Sequence, residues 1–117
     1  MMIFKICYAT EWADAGQRGE YAGSAKDRAD GFLHFSTAEQ IPGTLLRYYA
    51  GADDLLLVAV DADALGAALK FEPSRDGALF PHLYGPLSLS AVRWTGEIGY
   101  DVTRGHSLPR EFHEAQS

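Results

Sequence analysis

The chain has 117 residues, and ten Lys and Arg against sixteen Asp and Glu leave a formal charge of −6. Hydrophobic residues make up 47% and charged residues 22%, an ordinary globular balance that excludes collagen, coiled coil and wholesale disorder. The acidic balance, with scattered cations of which only Lys26 and Arg28 stand close together, excludes a general nucleic-acid binder, since such binding draws on clustered Lys and Arg.

The first predicted strand is Ile3 to Tyr8, apolar and aromatic except for Lys5. Thr10 can cap a short helix through Glu11, Trp12 and Ala13, with Gly16 as its stop. Ser24, Asp27 and Gly31 outline a brief helix or loop. Phe32 to Phe35 reads as a short strand with His34 inside it, and Ser36-Thr37-Ala38-Glu39 follows as a capping box. The next helix carries Ala38, Ile41, Leu45 and Tyr48/Tyr49 at helical spacing, kinks or restarts at Pro42-Gly43, and stops at Gly51. Leu55 to Val60 is a continuous apolar run, the pattern of a strand buried on both faces. Asp61 to Gly66 is a turn, Leu69 to Glu72 a strand, and Pro73 to Pro81 a loop with a turn at Asp76-Gly77. His82 to Leu87 is an irregular segment, and Val92 to Ile98 alternates as a strand. These elements make one domain over residues 1–105, with a polar, frayed tail over 106–117. Strands and short helices without a βαβ rhythm point to an α+β fold. A single Cys7 on a strand and apolar runs short of the roughly 20 residues that cross a bilayer point to a soluble, cytoplasmic, reduced protein with no membrane partner. The start MMIFKICYATEW also lacks the pattern of a signal peptide.

His34 is the most informative residue. Period-two alternation puts it on one strand face with Ser36, just before a helix whose N-terminal amides favour an anion. An imidazole there can bond a ribose hydroxyl or act as acid and base; the plain alternative is a buried ring satisfied by backbone. His82 and Tyr84 form a second polar cluster, pointing one way if extended, with aromatic packing in a turn as the alternative. Lys5 is either the solvated side of an edge strand or a cation aimed at a site. Glu72, at a strand end, reads as solvated. No Gly-rich phosphate loop, Gly-x-Ser-x-Gly elbow or zinc spacing occurs, so no metal is expected.

Four segments taken together, MIFKICYATEW, DGFLHFSTAEQ, LLLVAVDADAL and FPHLYGPLSLSAV, resemble the bacterial family called domain of unknown function 952, over residues 2–98. The resemblance implies a fold like that of the ADP-ribosyltransferases, small sheets flanking a cleft that binds NAD in active relatives. Gly31 to Ser36 also resembles the second catalytic strand of RNA 2′-phosphotransferases and poly-ADP-ribose polymerases, where a His or Tyr at the place of His34 stacks near nicotinamide. Lys5 stands where those relatives have a His on strand one; a charged Lys cannot accept a hydrogen bond but can pair with a phosphate. The Glu that many toxins carry at a third position has no match in the neighbourhood of His82 to Gly85. The resemblance thus implies NAD or a small nucleotide-like ligand, with His34 and His82 as catalytic candidates and Lys5, Ser36 and Tyr84 as binding candidates. The chemistry would be cleavage or transfer at the nicotinamide–ribose bond. A non-catalytic metabolite- or protein-binding module is the alternative. A second alternative is a phosphoesterase using His34 and His82 as acid and base, for which His34-Phe35-Ser36 supplies half of the two-histidine pattern.

Overall fold

A computed structural model describes residues 1–115. In chain order it runs β1 (Met2–Tyr8), α1 (Ala9–Arg18), β2 (Glu20–Tyr21), α2 (Ala25–Asp30), β3 (Leu33–His34), a 3-10 turn (Ala38–Gln40) and α3 (Ile41–Tyr48). There follow β4 (Leu55–Asp61), a 3-10 stretch (Ala62–Ala68), β5 (Leu69–Pro73), β6 (Leu79–Leu83), β7 (Leu87–Ser88), β8 (Val92–Asp101), β9 (Gly105–Ser107) and α4 (Arg110–Ala115). The ladders between these strands are antiparallel, so the fold is α+β, as expected.

One sheet has the order β1-β4-β8-β9 and another the order β3-β6-β5, while β2 pairs with β7. The apolar run at Leu55 is the inner strand β4, flanked by β1 and β8 and packed on both faces. Side-chain alternation divides the core. Ile3, Cys7, Val58 and Val60 pack with Tyr21, Leu33, Phe35 and Leu83 on one side. Phe4, Ile6, Leu55, Leu57 and Ala59 pack with Ile41, Leu45, Ile98 and Phe112 on the other. Lys5 alternates with Ile3 and Cys7, so the same rule that builds the core carries an ammonium group into it. The two sheets meet where Phe4 and Ser36 each donate an amide to the other's carbonyl at 2.8 Å.

Several expectations shift. Helix α1 starts directly after Tyr8, whose amide donates to Glu11 Oε1 at 3.2 Å, and runs past Gly16 to a left-handed Gly19. Neither Thr10 nor Gly16 bounds it; a glycine inside a helix costs only about 1 kcal/mol, which the neighbouring turns absorb. The cap expected at Ser36 with Glu39 lies one residue later, because the Ser36 backbone is held by Phe4. Thr37 is the N-cap, and its amide donates to Gln40 Oε1 at 2.9 Å. The helix then restarts with Pro42 in the first turn of α3.

The loop expected over Pro73 to Pro81 and the irregular segment from His82 are corrected by β6, which pairs with both β3 and β5. Pro81 lacks only a donor, and its carbonyl still accepts the Phe35 amide at 3.0 Å. Asp76 and Gly77 do make the turn that joins β5 to β6. The tail expected to fray from His106 is also corrected. Strand β9 pairs with β8, the His106 Nε2 lies 2.7 Å from the Ala52 carbonyl, and α4 sets the Phe112 ring edge-on against Phe4 at 5.2 Å. Residues 116–117 of that tail lie outside the described residues.

Candidate functional site

The site is built on a capping box. Ser24 precedes α2, its amide donates to Asp27 Oδ2 at 2.9 Å, and the Asp27 amide donates back to Ser24 Oγ at 3.2 Å. This exchange turns the Asp27 carboxylate inward. The chain passes so close there that a Cβ on Gly23 would stand 2.8 Å from the Asp27 Cβ and 2.6 Å from Leu33 Cδ2; Gly23 also has φ +105°, so no other residue fits without a shift.

Three groups converge on Asp27. The Lys5 ammonium lies 3.0 Å from Oδ2, and the two side chains are 5% and 2% exposed. His34 presents its amide at 3.1 Å and its Nδ1 at 2.5 Å to Oδ1. Lys5 also donates to the His34 carbonyl at 2.9 Å and lies 5.9 Å from the ring centres of Tyr21 and Phe35. Burial alone would raise the Asp27 pKa. The His34 hydrogen bond, the Lys5 charge and the Ser24 amide outweigh it and hold the carboxyl well below the usual carboxylate range. One turn along α2, Asp30 Oδ2 stands 2.9 Å from His34 Nε2, so the imidazole is bracketed by two carboxylates.

His82 faces His34 across the β3–β6 ladder with ring centres 5.7 Å apart. Phe32 stacks on His82 at 4.1 Å and lies 4.6 Å from His34. His82 Nδ1 is 2.8 Å from Glu72 Oε1, which also accepts the Tyr84 hydroxyl at 2.7 Å. The Tyr84 hydrogen bond, followed by that of His82, lowers the Glu72 pKa, and the same contact raises that of Tyr84.

Lys5, Asp27, Asp30, Phe32, His34 and His82 border a cleft of about 290 Å³. Its inner end is lined by Lys5, Phe35 and Tyr49 with the hydroxyls of Ser36 and Thr44, 3.0 Å apart. Lys26, Asp30, Tyr48 and Ser74 border its mouth, and His34, 27% exposed, opens between the two. Of the residues singled out in the sequence, Lys5, His34, Ser36 and His82 line this space together. Tyr84 does not; it stands behind Phe32 and holds Glu72. Lys5 also does not stand open to a ligand anion, because its ammonium is already met by Asp27 and the His34 carbonyl.

Sequence reasoning missed Asp27 and Asp30 as site residues, along with Phe32 and Glu72. The usable signal was Lys5 itself: a cation in an apolar strand needs a buried counter-charge, and the carboxylate of the Ser24–Asp27 box was available for it. Cys7 is buried on the core side of β1, and burial pushes its thiol up to about 12, so it is not a nucleophile at neutral pH. Among the described residues no cluster of His, Cys, Asp and Glu is placed to hold a metal ion, and no helix is long and apolar enough to cross a membrane.

The family described as protein of unknown function, DUF952, matches residues 6–95. No curated protein matches the chain. The chain is similar to the crystal structure of protein CC0527 from Caulobacter crescentus, with 41% identity and a TM-score of 0.90 over 97% of this chain and 99% of that one. A crystal structure of a double mutant of CC0527 is 40% identical with the same TM-score and coverage. The solution NMR structure of CC0527 is 42% identical with a TM-score of 0.80, over 97% of this chain and 95% of that one.

Proposed function

Since the chain belongs to the DUF952 family, whose function is unknown, its activity has to be argued from the cleft, and we propose that the cleft binds NAD or a related ribonucleotide by the nicotinamide–ribose end, on a fold of the ADP-ribosyltransferase kind. What supports the fold assignment is the arrangement of two antiparallel sheets joined at Phe4 and Ser36 beside the cleft. The observation that carries the ligand assignment is His34. Asp27 fixes its Nδ1 and ring plane, and its Nε2 meets Asp30 Oδ2 at 2.9 Å on the cleft lining, a contact that a ligand's hydroxyls would enter by parting the two groups. A ribose diol suits that pair, one hydroxyl accepting from the imidazole and the other donating to Asp30. The walls of Phe32, Phe35 and Tyr49 suit a flat ring, and the Ser36 and Thr44 hydroxyls suit its carboxamide.

In cleavage at the nicotinamide–ribose bond, nicotinamide would leave with the bonding pair, positive charge would build on the ribosyl carbon, and water or another acceptor would bond to that carbon and give up its proton; Asp30, a partly exposed carboxylate of the lining, is the group that would stabilise the charge. Glu72 lies outside the cleft lining and does not serve there. NAD should bind saturably and raise the melting temperature. His34→Ala should weaken it at least tenfold, about 1.4 kcal/mol, by calorimetry, with an unchanged circular dichroism spectrum. Folded protein that binds neither NAD nor ADP-ribose would refute the proposal. Release of nicotinamide identifies an enzyme, whereas saturable binding without release identifies the non-catalytic module.

One observation favours a second reading. The register that pairs His34 with His82 sets their ring centres 5.7 Å apart, and Glu72 meets His82 at Nδ1 rather than Nε2; in this reading the phosphate would part His34 from Asp30 and reach His82 past Phe32. A two-histidine phosphoesterase should hydrolyse a 2′,3′-cyclic nucleotide and lose turnover in both His34→Ala and His82→Ala. No turnover by the native protein removes this reading.

A further inference from the structure

We propose that Lys26 recognises the ligand's phosphate, so that the cleft selects a nucleoside 5′-phosphate over the nucleoside; this rests on the ribonucleotide reading above. Among the described residues, four cationic or ionisable nitrogen groups line the cleft, Lys5, Lys26, His34 and His82, and three have close partners within the protein. A phosphate reaching Lys5 would have to displace it from Asp27 and the His34 carbonyl and then lie against a buried carboxylate. His34 has a carboxylate at each ring nitrogen. His82 is buried beneath Phe32 with Nδ1 on Glu72.

Lys26 differs on each count. Its side chain is 61% exposed, and its ion pair is a single contact of 3.3 Å to Asp30 Oδ2, an oxygen that also faces His34 Nε2 at 2.9 Å. Exposed pairs of this kind contribute little, so exchanging Asp30 for a phosphate oxygen costs little. Its position is also right. Lys26 lies one helical turn before Asp30 on α2, and its ammonium reaches to within 5.9 Å of the Tyr48 ring centre on α3, across the mouth of the cleft. With the ribose at His34 and Asp30 and the flat ring inward, the 5′ substituent points to the mouth, where Lys26 stands. A flexible ammonium on an open stem suits a phosphate there.

The experiment uses the full chain and two probes, nicotinamide mononucleotide and nicotinamide riboside, titrated by calorimetry at low and moderate salt. The native protein should bind the mononucleotide at least fivefold more tightly, with the gap narrowing as salt screens the exposed contact. Lys26→Ala should abolish the gap and leave riboside affinity unchanged; Lys26→Arg should retain it, and Lys26→Glu should reverse it. Equal affinities in the native protein, or an equal loss for both probes in Lys26→Ala, overturns the assignment of Lys26 while leaving the ribonucleotide reading intact. Failure of both probes to bind where NAD still binds overturns the assignment of Lys26 alone, and failure of NAD and ADP-ribose as well overturns the two together.

Discussion

Asp27→Ala should lower the unfolding free energy by about 3–5 kcal/mol, because it strands a buried ammonium without its counter-charge. Lys5 is 5% exposed, and Asp27 supplies its carboxylate partner at 3.0 Å. What remains to it are the His34 carbonyl and the Tyr21 and Phe35 rings, none of them carrying a counter-charge. Domains of this size are stable by only about 5–15 kcal/mol, so the loss would be plain in a urea titration. The pair is not thereby the best filling for the space. Lys5→Met combined with Asp27→Leu removes both charges and should recover part of the loss, which separates a stranded charge from simple loss of packing. An Asp27→Ala protein within 1 kcal/mol of native would show that Lys5 finds water instead. The pH dependence has a definite sign. The Asp27 carboxyl is depressed in the folded state, first through the His34 hydrogen bond and the Lys5 charge overcoming burial. Its contribution is therefore complete above the unfolded value of about 4 and is lost as pH falls through the folded one. The gap between native protein and Asp27→Ala should be full at neutral pH and should narrow in strong acid.

Phe112→Ala is expected to cost about 3–5 kcal/mol, the range for deleting a buried aromatic ring. Only 6% of Phe112 is exposed, and it packs with Phe4, Ile41 and Ile98 on the outer face of β1 and β4. Truncation after Ser107 should cost at least as much, since it removes Leu108 and Phe112 from that cluster together. A tail that contributed nothing would leave the urea midpoint of Phe112→Ala unmoved.

The sequence announced the elements whose signals were local. The Ile3–Tyr8 and Leu55–Val60 runs formed strands; the Ser24–Gly31 segment, read as a brief helix or loop, is a helix bounded by those two residues, and the kink or restart expected at Pro42-Gly43 is a restart. Apart from the bounds of α1, which were set by the local Tyr8–Glu11 contact and Gly19, the failures share a cause, a long-range partner that no window of sequence contains. Leu79–Leu83 looked like loop because Pro81 stands in it, but a strand between two neighbours can do without one donor. Gly105–Ala115 looked polar because its few apolar side chains gain meaning only against β8 and Phe4. Ser36 could not cap a helix while its backbone was held by Phe4. The same applies to the site. His34, His82, Lys5 and Ser36 were visible as polar residues in apolar strands, whereas Asp27 and Glu72 sat in plausible surface positions and became partners only when α2 and the β5–β6 hairpin folded over. Tyr84 alternates with His82 but ends outside the cleft, because Phe32 occupies the space between.

The reciprocal bonds between Phe4 and Ser36 make one rung common to both sheets, and the neighbouring Lys5 reaches from β1 to the carbonyl of His34. The sheets therefore cannot part like jaws without breaking that seam. Width at the inner end is set by backbone geometry, and α2 is tied to the same seam through Asp27, so adjustment to a guest falls to the exposed side chains at the mouth, Lys26, Asp30, Tyr48 and Ser74. The molecule is in this respect a rigid socket with a soft rim rather than a clamp.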